Sequence, residues 1–600
     1  MSGPVFFVLS PGGLELARRL QPEVPASEVH GWQARVPAAD RSFVEAAEHL
    51  RGLFAAGRPI VACCATGIVV RALAPLLTDK RSEPPVVVLA EDGSAVVPLL
   101  GGHHGANDLA RRLAAILGVP AAVTTAGDLR LGVALDAPPA GRRLANPEDA
   151  KAFAAALLSG ERLAEGPVPG WLAGLPQAPE GRLSVVETER KAAGGPQRLI
   201  YHPQRLALGV GCARGCPPEE LQALVDQALD ESGLAREAIA AVVSIDLKAD
   251  EPAVLALADR LGVPARFFDA ATLVAETPRL ANPSEAVFAE VGCHGVAEGA
   301  ALAAAGPAGR LLATKRKSRN ATCAVAAAPD PLQAGNLGRA RGRLAVVGLG
   351  PGDEAWRTAE AGALIAGSRH LVGYRLYLDL LGAAAAGKVR HDYALGEEEV
   401  RVRAALALAA KGEDVALVCS GDPGIYAMAT LVFELIERGE DPAWKRCEIV
   451  VAPGISAVQA AAARIGAPLG HDFCCVSLSD LLTPWPTIER RLRAAAEGDF
   501  VVAFYNPVSQ RRRHQLPAAR EILLRHRPPE TPVLLASNLG RPAERLALTT
   551  LGNLTSEAVD MLTLVLVGSS QSRVVARGDG GAWLYTPRGY AAKQGRDDAA

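Results

Sequence analysis

Short apolar runs alternate along the chain with Ala- and Leu-rich stretches of helical period. Residues 5–9 precede the helical stretch 14–20, and residues 344–347 precede the helical stretch 355–366. Apolar runs of four or five residues are typical of strands buried on both faces, and the stretches after them predict helices. Turn-forming clusters follow the strands at 10–13, 348–353, 420–424 and 453–456. This alternation predicts an α/β fold with parallel or mixed sheets covered on both faces.

Segments with little periodic pattern divide the chain. Residues 134–148 and 166–197 are rich in Pro, Gly and charge, residues 326–341 have the composition of a linker, and the tail from residue 591 is predicted to be frayed. The predicted domains are an α/β domain at 1–130, a small middle domain at 131–203, an α/β domain at 204–328, a linker at 329–341 and a last domain of two α/β subdomains at 342–590.

Composition narrows the class of protein. At about 150 residues per domain, 600 residues allow about four domains, and 49% hydrophobic residues supply their cores. Lys and Arg number 63 against 65 Asp and Glu, which argues against a general nucleic-acid binder. No apolar run approaches the roughly 20 residues of a membrane span, and the N-terminus lacks the pattern of a signal peptide. Ten cysteines are too few for a disulfide scaffold, so we expect a cytoplasmic protein.

The loop after the strand at 344–347 has glycines in a pattern that must be tested for a dinucleotide site. Gly348 and Gly350 fit the first two glycines of GxGxxG, but the third position is Asp353. An acidic residue there would repel a pyrophosphate at the helix N-terminus, which disfavours a nicotinamide or flavin oxidoreductase. A carboxylate beside glycine amides suits a ligand with hydroxyls or positive charge, such as S-adenosylmethionine (SAM).

Two further loops offer the same chemistry. Residues 420–424 are Ser-Gly-Asp-Pro-Gly, and residues 453–457 are Pro-Gly-Ile-Ser-Ala, with Ser456 as a predicted helix N-cap. Each loop alone is an ordinary strand–helix turn. Three of them at the carboxyl ends of strands predict one ligand crevice, because ligands of open α/β sheets bind at those ends.

These motifs carry a family resemblance. Residues 342–590 resemble the tetrapyrrole methyltransferases of cobalamin biosynthesis. The motifs that carry the resemblance are the three loops, Gly-Tyr-Arg-Leu-Tyr at 373–377 and Phe-Tyr-Asn-Pro at 504–507. The stretch 466–485 and the arginines that follow Phe-Tyr-Asn-Pro resemble the precorrin-3B C(17)-methyltransferase branch. The resemblance implies a non-Rossmann SAM site between two α/β subdomains, and methylation at carbon 17 with ring contraction to precorrin-4.

Site residues follow from this resemblance. The implied SAM contacts are Gly350, Pro351, Gly352, Asp353, Ser420, Gly421, Asp422, Ile425, Ser456, Ala457, Tyr505 and Asn506. Ring contraction moves protons, so a general acid or base is expected among His471, Asp472, Asp480 and Thr483; capping of a turn is the alternative for the first two. The polycarboxylate ring needs cations at its rim, for which Arg511, Arg512 and Arg513 are the candidates, with a solvated helix start as their alternative.

The N-terminal half shows less chemistry of its own. His103 and His104 follow two glycines, but adjacent residues rarely face one ion, so no metal site is predicted. Residues 1–328 resemble the cobalt-precorrin-5A hydrolases, on stretches such as 65–71, 101–107, 208–216, 244–251, 291–302 and 315–324. The family opens a δ-lactone and releases acetaldehyde.

Lactone opening requires an activated water and a stabilised oxyanion. On residue type, the first candidates for this chemistry are His103, His104, Asp108 and Thr66, and the second candidates are Lys248, Asp250 and Glu251. The basic run Lys315, Arg316, Lys317 and Arg319 would neutralise ring carboxylates, with a solvated strand edge as its alternative.

The sequence therefore predicts a bifunctional, SAM-dependent enzyme of corrin-ring biosynthesis. Its methyltransferase half acts on precorrin-3B or cobalt-precorrin-3, so cobalt enters only as part of the substrate. The alternative is a working methyltransferase whose N-terminal half only binds or delivers a tetrapyrrole. By resemblance we also expect a homodimer and hand-over to other enzymes of the pathway, with no nucleic-acid or membrane partner.

Overall fold

The computed structural model describes residues 3–25, 27–77, 83–124, 130–509 and 512–590. The chain forms two compact units, residues 1–340 and 341–600. Both units are mixed α/β structures, as the strand–helix alternation predicts. Within the described residues, we find no helix with both the length and the apolar character needed to cross a bilayer.

The first sheet of the N-terminal unit has strand order β3-β2-β1-β4-β5-β6 and is parallel except for β6. Successive side chains of its strands point to opposite faces of the sheet, and both faces are apolar. Phe6 and Val8 pack on helices Pro11–Leu20 and Ala106–Leu117, while Val5 and Phe7 pack on helices Ala46–Ala55 and Thr66–Leu73. The strands are β1 (Val5–Val8), β2 (Glu28–Trp32), β3 (Arg41–Phe43), β4 (Ile60–Cys63), β5 (Val86–Leu89) and β6 (Val96–Leu100). The helices are Pro11–Leu20, Ala46–Ala55, Thr66–Leu73 and Ala106–Leu117.

A small sheet follows in the segment of weak pattern. Strand order is β10-β11-β7, with one helix, Ala150–Leu158, and a core around Phe153 and Tyr201. Its short elements explain why the sequence shows little periodicity here. The strands are β7 (Arg142–Leu144), β8 (Leu163–Ala164), β9 (Gln177–Ala178), β10 (Ser184–Glu187) and β11 (Arg198–Pro203), of which β8 and β9 pair separately.

The third sheet of this unit has strand order β14-β13-β12-β16-β15. Helix Val296–Ala305 lies so close to β12 that a Cβ on Gly209 would come within 1.9 Å of the Ala297 carbonyl oxygen, so only glycine fits there. The strands are β12 (Leu206–Cys212), β13 (Ile239–Ile245), β14 (Ala265–Phe268), β15 (Arg310–Lys317) and β16 (Ala321–Ala327). The helices are Pro218–Ser232, Pro252–Leu261, Ala270–Ala275, Glu285–Val291 and Val296–Ala305.

The segment with linker composition is held by backbone bonds. The amides and carbonyls of Phe267 and Arg339 exchange two hydrogen bonds of 2.8 Å, and Leu332, Ala334 and Leu337 pack on the apolar cluster beside β13. The segment that its composition predicts to be a linker is therefore partly hydrogen-bonded to β14, the edge strand of the third sheet.

The first lobe of the C-terminal unit is a parallel sheet with order β19-β18-β20-β17-β21. Helices cover both of its faces, as expected for a parallel sheet buried on both sides. The strands are β17 (Arg343–Gly348), β18 (His370–Tyr374), β19 (Val389–Tyr393), β20 (Asp414–Cys419) and β21 (Glu448–Ala452). The helices are Ala359–Gly367, Arg375–Asp379, Glu398–Ala410 and Met428–Arg438.

The second lobe is built on a sheet of order β23-β24-β27-β25-β26, with a small sheet β22-β29-β28 beside it. Helix Ala457–Ile465 opens the lobe and packs on the inner face of the larger sheet. The strands are β22 (Gly466–Ala467), β23 (Phe473–Ser477), β24 (Val501–Tyr505), β25 (Pro532–Ser537), β26 (Arg545–Thr550), β27 (Thr563–Val567), β28 (Arg573–Ala576) and β29 (Ala582–Tyr585). The other helices are Trp485–Glu497 and Gln515–Leu524.

Candidate functional site

Three loops of the C-terminal unit meet at one edge of the first lobe. The loops follow β17, β20 and β21, which are parallel neighbours in the order β20-β17-β21. Strands β17 and β20 are buried apolar runs, whereas β21 at the edge of the sheet is largely exposed, and backbone pairing with β17 fixes where its chain emerges. Because the carboxyl ends of parallel strands lie at the same edge, the three loops predicted from the sequence lie side by side.

Backbone and carboxylate hydrogen bonds join these loops. Gly350 and Gly421 exchange two backbone bonds of 3.2 and 2.7 Å. One Asp422 carboxylate oxygen accepts the Gly424 N–H at 2.8 Å, and the other accepts the Gly454 N–H at 3.1 Å. Asp422 thus links the second loop to the third, and Gly350 links the first to the second.

The glycines at this junction have no space for a side chain. A Cβ on Gly348 would lie 2.5 Å from the Gly421 carbonyl oxygen, and one on Gly454 would lie 2.1 Å from the same atom. Gly350 has a φ of +74°, a conformation that side chains rarely adopt. These glycines are required by close backbone approach as well as by turn geometry.

Asp353, which breaks the dinucleotide pattern, caps a short helical turn. Its carboxylate accepts the N–H of Ala355 at 2.8 Å, at the start of the turn Glu354–Trp356. Its side chain is exposed. The acidic residue therefore has a local structural role, and its carboxylate faces solvent beside the loop.

Arg541 of the second lobe reaches the loops and was missed by sequence reasoning. Its Nε donates to the Pro351 carbonyl oxygen at 3.2 Å, and Nη2 lies 3.4 Å from the Ser420 hydroxyl. A Cβ on Gly352 would lie 2.8 Å from both Arg541 Cγ and the Gly540 carbonyl oxygen. The only sequence signal is the Asn-Leu-Gly-Arg turn at 538–541, where Asn538 and Gly540 both have positive φ.

Two tyrosines line the junction from the second lobe and the second loop. The Tyr505 hydroxyl accepts the Val458 N–H at 3.2 Å, beside the helix N-cap Ser456. The Tyr426 hydroxyl donates to the Cys475 carbonyl at 2.9 Å, and the two rings lie 5.2 Å apart. Burial raises the pKa of both phenols, so both stay neutral at pH 7.

The remaining implied SAM contacts lie around these tyrosines. Ile425 is partly exposed beside Tyr426, and Ala457 begins the helix after Ser456. Asn506 has a φ of +50° and donates to the Ser477 hydroxyl at 3.1 Å. The structure thus brings the residues carried over by resemblance to one junction between the lobes.

The candidate rim arginines differ in their surroundings. Arg512 donates to the Leu478 carbonyl at 2.9 Å and lies 3.8 Å from Asp480. Asp480 also accepts a bond of 3.0 Å from Gln515, so this pair is held within the protein. Arg513 is exposed. Arg511 lies outside the described residues.

The other acid–base candidates lie in exposed turns. The His471 Nδ1 accepts the Asp472 N–H at 2.9 Å, and the two side chains are 54% and 80% exposed. This geometry matches the turn-capping alternative. Thr483 is half-buried beside Leu481 and Leu482, which are 85% and 94% exposed.

In the N-terminal unit, the first hydrolase candidates do not form one cluster. Thr66 follows the carboxyl end of β4, whereas the loop at 101–104 lies beside Pro84, at the entry to β5. Since β6 is antiparallel to β5, its end returns to the opposite edge of the sheet. His104 is exposed and the side chain of His103 is outside the described residues; Asp108 is exposed and pairs with Arg111 at 3.0 Å.

The second candidates do cluster. Lys248, Asp250 and Glu251 lie together in the loop after β13. In the basic run, Lys315 donates to the Asn282 carbonyl at 3.0 Å and Arg316 pairs with Glu231 at 3.1 Å, while Arg319 is exposed.

A histidine pair, made of the buried His30 on β2 and the half-buried His49 on helix Ala46–Ala55, was also missed. His30 Nδ1 lies 2.8 Å from His49 Nε2, and His30 Nε2 lies 3.0 Å from the Glu28 carboxylate. His49 also lines a cavity of about 450 Å³ together with Phe43, Glu48 and Leu53. No sequence pattern brings these residues together, because strand and helix positions of this kind are ordinary core positions.

Comparison with known proteins finds matches in both units. Residues 343–555 match the model of the family Tetrapyrrole (Corrin/Porphyrin) Methylases. The families Cobalamin synthesis G N-terminal and Cobalamin synthesis G C-terminus match residues 48–128 and 206–326.

Individual relatives match the C-terminal unit. A precorrin-3B C(17)-methyltransferase of Sinorhizobium sp is 46% identical over 251 residues, which is 42% of this chain and 98% of the relative. A probable cobalt-factor III C(17)-methyltransferase of Salmonella typhimurium is 44% identical over 247 residues, 41% of this chain and 99% of the relative. The crystal structure of the methyltransferase CobJ is 43% identical, with a TM-score of 0.39, and covers 41% of this chain and 100% of that chain.

The match to the Sinorhizobium enzyme covers nearly its full length at high identity, and the three joined loops lie within the matched region. Segments of the N-terminal unit match the two cobalamin synthesis G models. Through its C-terminal unit the chain belongs to the precorrin-3B C(17)-methyltransferase family of tetrapyrrole methylases.

Proposed function

We propose that the chain is a bifunctional enzyme of corrin-ring biosynthesis. The C-terminal unit methylates carbon 17 of precorrin-3B, or of its cobalt-containing counterpart, and contracts the ring to the precorrin-4 level. The N-terminal unit hydrolyses the δ-lactone of cobalt-precorrin-5A and releases acetaldehyde. The observation that carries the proposal is 46% identity across 98% of a precorrin-3B C(17)-methyltransferase, joined to two cobalamin synthesis G regions in one chain.

The loop junction fits SAM by its donor set. The Gly350 and Gly421 amides bond each other, but the carbonyl oxygens of these residues and the Asp422 carboxylate keep lone pairs that can accept from an amine or from ribose hydroxyls. When bound, SAM supplies a methyl group on a sulfonium, a strong electrophile. The proposed contacts are those carried over by resemblance: Gly350, Pro351, Gly352, Asp353, Ser420, Gly421, Asp422, Ile425, Ser456, Ala457, Tyr505 and Asn506.

The chain's own residues contribute positioning. Methyl transfer needs donor and acceptor carbons held in line at near-attack distance, which rigid loops achieve better than mobile ones. Asp422 and Gly350 fix the three loops to one another, and Arg541 fixes the first loop to the second lobe. The two neutral phenols add no charge beside a cationic donor.

The proposal also names residues for substrate recognition and proton transfer. Arg511, Arg512 and Arg513 are candidates for the ring carboxylates, and His471, Asp472, Asp480 and Thr483 are candidates for the acid or base of ring contraction. The relatives are named for precorrin-3B and for cobalt-factor III at 46% and 44% identity, so both forms of the ring are proposed substrates.

We place the hydrolase in the domains at 1–130, 131–203 and 204–328, with a linker at 329–341 before the methyltransferase at 342–590. A homodimer and hand-over to other pathway enzymes are part of the proposal. Ten free cysteines support a reducing, cytoplasmic location.

The test for the methyltransferase uses the full chain. Incubation with precorrin-3B or cobalt-factor III and SAM should add 14 mass units per ring, about one methylene equivalent, seen by mass spectrometry. Calorimetric titration with S-adenosylhomocysteine should show binding, and titration with NAD should show none. Tight binding of NAD without S-adenosylhomocysteine would overturn the assignment.

The test for the hydrolase separates it from a binding module. The full chain with cobalt-precorrin-5A should release acetaldehyde, measured by reduction with alcohol dehydrogenase. Binding of the tetrapyrrole without acetaldehyde would support the alternative, in which the N-terminal unit only holds or delivers the ring.

A further inference from the structure

The carboxyl end of β20 in the C-terminal unit is a point where the chain leaves its sheet toward opposite faces. Strand β20 lies between β18 and β17. The helix after β20, Met428–Arg438, packs on one face, whereas the helices after β17 and β18, Ala359–Gly367 and Arg375–Asp379, pack on the other. Ligands of open α/β sheets bind at such a point, so the side chains gathered there are candidates for ligand contact.

A buried cation lies at this end of the sheet. Arg401, in the first turn of helix Glu398–Ala410, is 5% exposed, and its Nη2 lies 3.4 Å from both the Glu398 carboxylate and the Met428 sulfur. Its Nε and Nη1 are buried, and no group of the described residues accepts a hydrogen bond from either nitrogen. Buried guanidinium nitrogens are normally satisfied, so these two donors point to an acceptor from outside the described chain.

The charge of Arg401 is only partly neutralised. Within the part of the chain that the structure describes, Glu398 is its one carboxylate partner, and that side chain is 38% exposed and also accepts the Gly396 N–H at 3.2 Å. Burial raises the pKa of the neighbouring Cys419 thiol to about 11, so the thiol is neutral at pH 7. Met428, which Arg401 contacts, begins a helix whose dipole adds further positive charge. An anion would therefore be stabilised here.

Arg541 brings a second cation to the same end of the sheet. Its Nε and Nη2 contact the Pro351 carbonyl and the Ser420 hydroxyl, and Nη1 has no acceptor among the described residues. No described carboxylate pairs with this guanidinium. The nearby Asp422 carboxylate is already engaged by two backbone N–H groups. Arg541 thus keeps donors and charge for a ligand.

The motif Gly-Tyr-Arg-Leu-Tyr at 373–377 supplies a hydroxyl beside both cations. Tyr374 ends β18, and Tyr377 lies in the next helix with its ring 5.2 Å away, edge to face. Burial raises the pKa of the Tyr377 phenol, while the charges of Arg541 and Arg401 act in the opposite direction. Among the described residues, no group hydrogen-bonds to this hydroxyl. A neutral phenol between two guanidinium groups is a suitable donor to a carboxylate.

We propose that the carboxyl end of β20 holds a carboxylate subsite formed by Arg401, Tyr377 and Arg541. The inference rests on the proposed function of the C-terminal unit, because that function supplies two sources of a carboxylate. SAM carries one on its amino-acid chain, and the tetrapyrrole carries several at its edge. The subsite would fix the ligand beside the three glycine loops.

The experiment compares two ligands that differ in one group, by calorimetric titration of the full chain. S-adenosylhomocysteine has the carboxylate, and S-adenosyl-3-thiopropylamine lacks only that group. If SAM supplies the carboxylate, Arg401→Met and Tyr377→Phe should each weaken S-adenosylhomocysteine about tenfold and leave the decarboxylated ligand unchanged. Arg401→Lys should recover part of the loss. The control Arg403→Met, on the same helix at a surface pair with Glu440, should match the wild type.

Uroporphyrin, a stable tetrapyrrole polycarboxylate, tests the other source on the same variants. A loss confined to uroporphyrin would support the subsite and assign its carboxylate to the ring. Affinities for all three ligands within twofold of the wild type in both Arg401→Met and Tyr377→Phe would overturn the proposal. So would equal losses for S-adenosylhomocysteine and its decarboxylated analogue, which would indicate general damage to the loops.

Thermal unfolding separates this role from a structural one. Arg401→Met removes buried donors that lack partners, so the free protein should keep or raise its melting temperature. If the melting temperature falls instead, Tyr377→Phe decides, because it removes only a hydroxyl. Methyl transfer to precorrin-3B is measured in parallel. If the wild type prefers the carboxylate ligand in an Arg401-dependent way but transfers no methyl group, the proposed function fails while the subsite stands.

Discussion

The loop junction of the C-terminal unit and the charged cluster in the loops after β12 and β13 are held together by different groups. The first is made of main chain: Gly348, Gly421 and Gly454 approach so closely that no side chain fits between them. The second is made of side chains: Arg214, Lys248 and Glu251 join two loops through charge and hydrogen bonds. Both lie at the carboxyl ends of strands, so position in the fold does not cause the difference.

The difference explains which site the sequence reveals. Close backbone contact requires glycine, so glycines directly after a buried strand indicate such a contact in the sequence itself. A charged clamp uses Arg, Lys and Glu, which occur mostly as solvated surface residues. A backbone site should also fail sharply on a single added methyl group, whereas a side-chain site should lose affinity or stability in smaller steps.

The largest effect is expected from Gly454→Ala. Its Cβ would lie 2.1 Å from the Gly421 carbonyl oxygen, so the loops must separate. Displacement of this order costs about 100-fold in rate, which transfer of labelled methyl from SAM to precorrin-3B would measure. The control Gly362→Ala has no neighbour within 4 Å in helix Ala359–Gly367 and should keep full activity. Activity within threefold of wild type in Gly454→Ala would refute the backbone account.

Asp422→Asn should have the next largest effect. The amide keeps one acceptor oxygen and turns an NH2 group toward either the Gly424 or the Gly454 N–H. Loss of a charged hydrogen bond costs about 1.5–3 kcal/mol, so methyl transfer should fall about 10- to 100-fold. Asp579→Asn is the matched control, because Asp579 accepts the N–H of Gly581 in an exposed turn. Equal losses in both variants would show that the loop junction is not special.

Glu251→Gln should act on stability in the N-terminal unit. It removes the buried charge beside Arg214 and Lys248, for an expected loss of about 2 kcal/mol in the free energy of local unfolding. Hydrogen exchange of residues 206–260 measures this loss. Methyl transfer should not change. Glu231→Gln, at a pair with Arg316 on the surface, should cost less than about 0.5 kcal/mol, and a comparable cost would remove the contrast between buried and exposed charge.

The smallest effect is a pH dependence of the first sheet. Burial, with the charge of His30, lowers the pKa of His49 from 6.5 to about 4, so the unfolded chain binds that proton more readily. Stability should fall as pH drops from 6.5 toward 4. The hydrogen bond from His30 lowers the pKa of Glu28 from 4.5 to about 2, so a further loss should follow between pH 4.5 and 2.

Thermal unfolding measured between pH 7 and pH 2 detects both losses of stability. His49→Gln should abolish the loss between pH 6.5 and 4 and keep the loss between pH 4.5 and 2. An unchanged loss between pH 6.5 and 4 in that variant would assign the pH dependence to other groups.

The sequence predicts much of the fold. Apolar runs such as those that form β1 and β17 are fully buried strands, and the strand–helix alternation is the observed architecture. The elements in the middle of the N-terminal unit could not be predicted individually, because strands of two or three residues are too short to show a hydrophobic period. The segment at 329–341 has the composition of a linker, but backbone bonds to Phe267 hold it against the third sheet.

The sites divide in the same way. The three glycine loops, Asp422 and Tyr505 were found in the sequence, whereas Arg541 was not, since its contacts with Pro351 and Ser420 span well over a hundred residues. Thr66 and His104 have similar loop contexts, yet the antiparallel strand β6 places them at opposite edges of one sheet. The pairing of His30 with His49 also depends on how a helix lies on a strand.

The sequence by itself determined the class of fold, the family of the C-terminal unit and the glycine loops, because buried strands and close backbone contacts each demand particular residue types at short spacing. Only the tertiary structure decided which charged side chains meet. Arg, Lys, Glu and His are tolerated at many positions, and their chemistry depends on neighbours from distant segments, as it does for Lys248 beside Glu251 and the loop at 213–217.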